Sequence, residues 1–150
     1  MIDAEGPALP EGHIYASATV PNSVESIRLA ADFIVQAARN MHVPAASDSL
    51  FEVAIVEALN NAVKHGNTVQ CPTASIVCEV EFADRSLTVR ILDQGTGYIL
   101  PQPPQQEWRA DDIATVPESG FGVSIIQSVF PIVRTITRPG EFGIEMVLTC

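Results

Sequence analysis

The sequence predicts an α+β fold: a two-layer α/β sandwich whose mixed, mainly antiparallel sheet carries helices on one face. Its 150 residues suit a single domain, and with 47% apolar residues it can bury a sizeable core. The strand-like segments occur mostly as hairpins, which favours antiparallel pairing. Strands and helices do not alternate strictly, as a doubly wound parallel sheet would require.

The first half of the chain predicts one strand and two helices. Residues 13–20 alternate enough to form a strand, and a helix follows over about 24–41. Asn22 and Glu25 have the spacing of a capping box at its start. The second helix begins at residues 47–49, where Ser49 and Glu52 form another capping box, and it runs to His65.

The second half predicts two hairpins separated by an irregular segment and a short helix. The first hairpin joins strands 74–83 and 86–92 through the tight turn Asp84-Arg85. From Tyr98 to Glu118 the periodicity fails in a segment rich in proline and glutamine, so we expect no core element there. A segment of this length without regular structure is either evidence against the assignment of elements or a functional lid. A helix over 122–130 precedes the last hairpin, whose strands are 132–138 and 143–149.

The charge balance excludes several classes of partner. Eight Lys and Arg against eighteen Asp and Glu give a net charge of −10. Nucleic acids and anionic membranes are bound by clustered basic residues, so neither is expected as a partner. The sequence has no apolar run long enough for a membrane span and no signal-peptide pattern at its N-terminus. We therefore expect a cytoplasmic protein.

The three cysteines, Cys71, Cys78 and Cys150, form neither a CxxC motif nor an even disulfide framework. The three histidines are far apart, so no zinc site of the usual spacing can be assembled. We expect reduced structural or surface thiols.

A polar stripe marks the second helix. Glu57, Asn61 and His65 are four residues apart and share one side of a helix that is otherwise small or apolar. Such a stripe is either a solvated face or a ligand site, because unpaired burial of polar groups is unfavourable. Two asparagines in mid-helix are an unusual choice for a plain surface, which favours a site.

Two glycine-containing segments offer complementary chemistry. Asp93 follows a predicted strand and precedes Gly95 and Gly97; this is either an ordinary turn or a carboxylate that accepts a hydrogen bond from an exocyclic amine such as adenine N6. Gly120 and Gly122 open the short helix and leave backbone N–H groups free to face an anion.

Taken in order, these three segments resemble the N, G1 and G2 boxes of the GHKL (Bergerat-fold) ATPases, and most closely the small bacterial anti-sigma factor and serine-protein kinase group. The boxes read FEVAIVEALNNAVKHGN, ILDQGTGY and SGFGVSIIQSV. The resemblance covers about residues 13–149. It implies one histidine kinase-like ATPase domain with the Bergerat ATP-binding fold over 13–150, with its lid at about 99–118. Residues 1–12, with three acids, two glycines and two prolines, predict a flexible lead-in.

The resemblance also implies roles for individual residues toward the cofactors ATP and Mg²⁺. Glu57 would be the general base, Asn61 would coordinate Mg²⁺, and Asp93 would hold the adenine amine. Further nucleotide contacts would come from the glycines of the G1 and G2 boxes and from three basic side chains: Gly95, Gly97, Gly120, Gly122, Lys64, His65 and Arg109.

The implied activity is that of an anti-sigma factor that phosphorylates a serine on a STAS-type antagonist, binds a sigma factor and forms a homodimer. Three alternatives remain at the level of sequence. The chain could bind ATP and partners without transferring phosphate, because Arg109 is the only cation of the lid. It could be the catalytic domain of a sensor histidine kinase, although His13 lies in a predicted strand. It could also be a structural domain.

Overall fold

The computed structural model describes residues 12–66, 74–94 and 118–150, with the helical backbone alone at residues 65–66 and 118–122. These residues form three α-helices and five strands. In chain order the elements are β1 (Ile14–Pro21), α1 (Ser26–Asn40), a short 3-10 helix (Pro44–Ser47), α2 (Ser49–Gly66), β2 (Ser75–Ala83), β3 (Ser86–Asp93), α3 (Glu118–Val129), β4 (Ile132–Arg138) and β5 (Glu141–Thr149). No helix in this described part is both long and apolar enough to cross a membrane.

The five strands form one sheet in the order β1-β2-β3-β5-β4. All four pairings are antiparallel, so the expected α+β class is confirmed, and the described strands contain no parallel pair. The first hairpin turns at Asp84 and Arg85, whose φ angles are 50° and 61°. Two successive residues of positive φ characterise the tight turn that matches strand twist.

One face of the sheet packs against the helices and forms the core. Its side chains alternate along the three central strands and are buried: Ile76, Cys78, Val80, Leu87, Val89, Ile91, Ile144, Met146 and Leu148. The rings of Phe51 on α2 and Phe130 after α3 pack 5.6 Å apart at 46°. Burial of such rings stabilises the fold by about 2–3 kcal/mol each relative to exposure.

The opposite face of the sheet carries an ion-pair network. Arg90 on β3 reaches Glu145 on β5 at 2.7 Å and Glu81 on β2 at 3.4 Å. Arg134 pairs with the other oxygen of Glu145, also at 2.7 Å. Burial alone would raise the pKa of Glu145, but the hydrogen bonds and charges of Arg90 and Arg134 outweigh it and lower that pKa.

The start of α2 differs from the sequence prediction. Asp48, not Ser49, is the cap, because its Oδ1 accepts a hydrogen bond from the backbone N–H of Leu50 at 2.9 Å. The carbonyl of Asp48 also accepts from the N–H of Phe51. The 3-10 helix Pro44–Ser47 ends with Asp48 in an extended conformation, so Ser49 is already the first helical residue.

The predicted capping box of α1 is also wrong. The helix begins at Ser26, and Glu25 at its cap position makes no side-chain hydrogen bond to the helix. Asn22 lies too early, because its backbone N–H donates to the carbonyl of Ala74 at 3.0 Å and belongs to the start of the sheet. Smaller differences are that α3 begins at Glu118, about one turn before Gly122, and that β5 begins at Glu141.

Candidate functional site

Helix α2 presents its polar stripe on the side that the core does not use. Its inner positions Ala54, Ile55, Ala58 and Leu59 are fully buried against the sheet and the other helices. Glu57 and Asn61, one turn apart, are half-buried, whereas Asn60 and Lys64 are exposed. Partial burial places two hydrogen-bonding side chains where a ligand can cover them. His65 continues the helix, but its side chain lies outside the described residues.

Asp93 is the last residue of β3 and is only 1% exposed. The sequence placed it just after the strand, whereas the structure pairs it with Phe142 of β5. By strand alternation it faces the helix side of the sheet, like Val89 and Ile91. A carboxylate so buried is held in a defined position and can serve as a hydrogen-bond acceptor for a ligand amine.

Gln94 fixes the chain directly after Asp93. Its Oε1 accepts a hydrogen bond from the backbone N–H of Ser75 at 3.1 Å. This bond joins the exit of β3 to the entry of β2, the neighbouring strand. A glutamine here therefore supports the end of the strand on which Asp93 lies.

Gly120 and Gly122 lie within the first turn and a half of α3, not ahead of it. The first N–H groups of a helix lack intrahelical partners and carry a partial positive charge, so an anion is favoured at that end. Gly95, Gly97 and Arg109 fall outside the described residues, and so does the predicted lid apart from Glu118.

Helix α2 packs directly against both β3 and α3, the elements on which Asp93 and the Gly120–Gly122 segment lie. The described part of the chain holds no group of three His, Cys, Asp or Glu side chains suited to a metal. Mg²⁺ usually keeps several waters and binds phosphate oxygens, so it is commonly held by one or two protein ligands. The amide oxygen of Asn61 and the carboxylate of Glu57 are hard oxygen donors of the type that Mg²⁺ accepts.

Sequence reasoning missed Gly143 on β5. A Cβ atom there would lie 2.7 Å from the Cα of Leu92 and 2.8 Å from the carbonyl carbon of Ile91. The available signal was an isolated glycine within a strand, which is typical of a close backbone approach. The two β3 residues that Gly143 faces, Ile91 and Leu92, immediately precede Asp93.

Comparisons with known proteins identify the family and a structure of similar fold. Residues 20–148 match the model of the family described as histidine kinase-like ATPase domain. The fold is similar to the crystal structure of the RsbU and RsbW domains of Rv1364c from Mycobacterium tuberculosis, with a TM-score of 0.62 and 14% sequence identity. That alignment covers 91% of this chain and 32% of the Rv1364c chain. This chain therefore spans about a third of the length of the protein it matches. No curated protein matches the sequence.

Proposed function

Because the chain belongs to the histidine kinase-like ATPase domain family, we propose that it binds ATP with Mg²⁺ and transfers the terminal phosphoryl group to a protein serine. The family match confirms the resemblance seen in the three boxes. The proposal rests mainly on one observation: the helix with half-buried Glu57 and Asn61 packs against the strand that ends at buried Asp93.

In this proposal each segment of the site has a separate task. Asp93 accepts a hydrogen bond from the exocyclic amine of adenine, with Gly95 and Gly97 shaping the pocket around the base. Asn61 holds Mg²⁺, which when bound supplies charge stabilisation at the phosphates. The phosphates lie near the N-terminus of α3 at Gly120 and Gly122, with Lys64, His65 and Arg109 as further contacts.

Glu57 is the proposed general base. The serine oxygen of the protein substrate forms a bond to the γ-phosphorus as the bond from that phosphorus to the ADP oxygen breaks. The hydroxyl proton passes to the Glu57 carboxylate. Phosphoryl transfer depends chiefly on positioning and charge stabilisation, so one carboxylate and one metal-holding amide suffice.

The proposed biological role is that of a cytoplasmic anti-sigma factor that acts by partner switching. The protein substrate is then a STAS-type antagonist, and the same molecule, as a homodimer, binds a sigma factor. The resemblance of the boxes supports this role, and so does the likeness in fold to a structure that contains an RsbW domain. The second candidate, ATP binding without phosphate transfer, is favoured only by the scarcity of cations in the lid.

Calorimetric titration with ATP, with and without Mg²⁺, tests the nucleotide site. We expect binding that depends on Mg²⁺ in the unmodified chain and in Asn60→Ala, and binding weakened at least 10-fold in Asn61→Ala and Asp93→Asn. Asn60 is the matched control because it is exposed and adjacent to Asn61 on the same helix. Absence of ATP binding by the unmodified chain would contradict the proposal.

Transfer of labelled γ-phosphate to a purified STAS-domain protein of the same organism separates the two candidates. Labelled serine on that protein supports the kinase. ATP binding without any labelled product favours the non-catalytic module.

A further inference from the structure

At Gly143 on β5 there is no room for a side chain beside the backbone of β3. Gly143 is buried and lies opposite Leu92 in the register. An added Cβ would overlap the carbonyl oxygen of Ile91, and it would be only 2.7 Å from the Cα of Leu92 and 2.8 Å from the carbonyl carbon of Ile91. All three contacts involve main-chain atoms, which cannot rotate away as a side chain can. Only glycine fits at position 143 without a shift of the adjacent β3 backbone.

The close approach lies directly beside the candidate site. Leu92 is the residue before Asp93, and Asp93 itself pairs with Phe142, the residue before Gly143. Asp93 is the final residue of its strand and is 1% exposed, so its carboxylate position follows the backbone of β3. Any movement of the Ile91–Leu92 segment is therefore passed on to Asp93.

The size of that movement can be compared with what a binding site tolerates. Carbon atoms pack at roughly 3.5 Å, so relieving the contact with the Cα of Leu92 alone would require a shift of about 0.8 Å. Binding groups must be held within about 0.5 Å of the productive geometry. The displacement expected from one methyl group exceeds this tolerance.

We propose that Gly143 is a positioning residue for the Asp93 carboxylate and thereby sets the preference of the site for a base with an exocyclic amine. The inference rests on the proposed function, because it takes the base to be recognised by Asp93. It adds that this recognition depends on a glycine in another strand, about fifty residues later in the chain.

The test compares the affinities of two nucleotides by calorimetry in the presence of Mg²⁺. One is ATP, and the other is purine riboside triphosphate, which lacks the 6-amino group. A hydrogen bond to a charged acceptor predicts that the unmodified chain prefers ATP by about 10-fold or more. In Gly143→Ala we expect this preference to fall below about 3-fold, because the acceptor is displaced.

Gly140→Ala is the matched control. Gly140 lies in the turn of the same hairpin with a φ of 74°, so alanine strains the backbone there, but no atom lies within 4 Å of the added Cβ. This variant should lower the stability of the fold and retain the preference for ATP. A loss of stability alone therefore cannot produce the result expected for Gly143→Ala.

The outcomes separate the inference from the function on which it rests. An unchanged preference for ATP in Gly143→Ala overturns the inference and leaves the ATP site intact. Failure of the unmodified chain to bind ATP overturns both. If Gly143→Ala does not fold, Asp93→Glu moves the carboxylate by one methylene without changing the β5 backbone. A preference that survives in Asp93→Glu then overturns the inference, because base recognition would not depend on the position of the carboxylate.

Discussion

Both terminal nitrogens of Arg138 donate hydrogen bonds to Glu79, one to each carboxylate oxygen, and both distances are 2.8 Å. Glu79 lies on β2 and Arg138 ends β4, with β3 and β5 between these strands. Arg90 on β3 lies 3.6 Å from the same carboxylate. Glu79 therefore connects strands from opposite halves of the sheet.

We predict that Glu79→Gln lowers the free energy of unfolding by about 2 kcal/mol, because a two-point, charge-assisted pair is lost from a side chain that is only 9% exposed. The control is Glu52→Gln, whose partner Arg28 is 72% exposed. Exposed pairs contribute little, so this variant should lose less than about 0.5 kcal/mol. Urea denaturation measures both, and equal losses would show that the sheet network is no stronger than a surface pair.

Stability should fall with acid partly through this network. The hydrogen bond from Arg138 lowers the pKa of Glu79, and the pKa of Glu145 is lowered as well. A carboxylate with a lowered folded-state pKa stabilises the fold above its unfolded pKa of about 4.3, and this contribution disappears as pH falls through the folded value. The stability difference between the unmodified chain and Glu79→Gln should thus be constant from pH 5 to 7 and shrink below about pH 4. A difference that grows in acid would reverse the assigned direction.

The cap of α2 can be tested by two neighbouring substitutions. Asp48→Ala should cost about 1 kcal/mol, because the N–H of Leu50 loses its acceptor. Ser49→Ala should change stability by less than about 0.3 kcal/mol, since position 49 is already helical. Thermal or urea unfolding distinguishes the two residues, and the opposite ranking would restore the cap predicted from the sequence.

The Cys78 thiol should be inert in the folded protein. Desolvation by burial raises its pKa to about 12, and the reactive form of a thiol is the thiolate. The exposed Cys150 should be alkylated at pH 8, whereas Cys78 should be alkylated only after urea is added. Peptide mass spectrometry reads each cysteine separately. Rapid alkylation of Cys78 without denaturant would mean that the sheet opens locally.

Glu57→Gln should impair phosphate transfer to serine without impairing ATP binding. The amide keeps the shape of the side chain but cannot accept the serine proton, so ATP affinity should stay within about threefold while phosphate transfer falls by about 10²–10⁴. Glu52→Gln, one turn and a residue earlier on the same helix, should transfer at the normal rate. An unchanged rate of phosphate transfer in Glu57→Gln would show that Glu57 is not the general base.

The helices and strands could be predicted from the sequence where the apolar periodicity is strong. The residues that begin each helix were predicted less well, because tertiary contacts determine them. The stripe of Glu57 and Asn61 could be read from spacing alone, because a helix fixes which residues share a side. The predicted cap of α2 was wrong. Ser49-Leu50-Phe51-Glu52 fits the capping pattern, but the 3-10 helix before it places Asp48 at the cap position.

Long-range relationships were beyond sequence patterns. Nothing local to Glu79 indicates that its partner is Arg138, 59 residues later. The close contact of Gly143 with Leu92 likewise depends on the register between β3 and β5, which the hairpin pattern does not specify. The residues of the glycine boxes were recognisable by motif, but their depth in the fold was not: Asp93 was expected just after the strand, whereas it is the last paired residue of β3 and is buried.

Strand order has a consequence for how the chain is made. β4 reaches the rest of the sheet through β5, which follows it in sequence and lies between it and β3. During synthesis, β4 therefore has no neighbour to pair with until residues 141–149 have left the ribosome. That step completes the sheet, because β5 pairs with β4 on one side and with β3 on the other. Until then, the edge of β3 beside Asp93 is unpaired and can bind a strand of another molecule. Chains whose synthesis stops before β5 is complete are therefore the ones most prone to incorrect strand pairing.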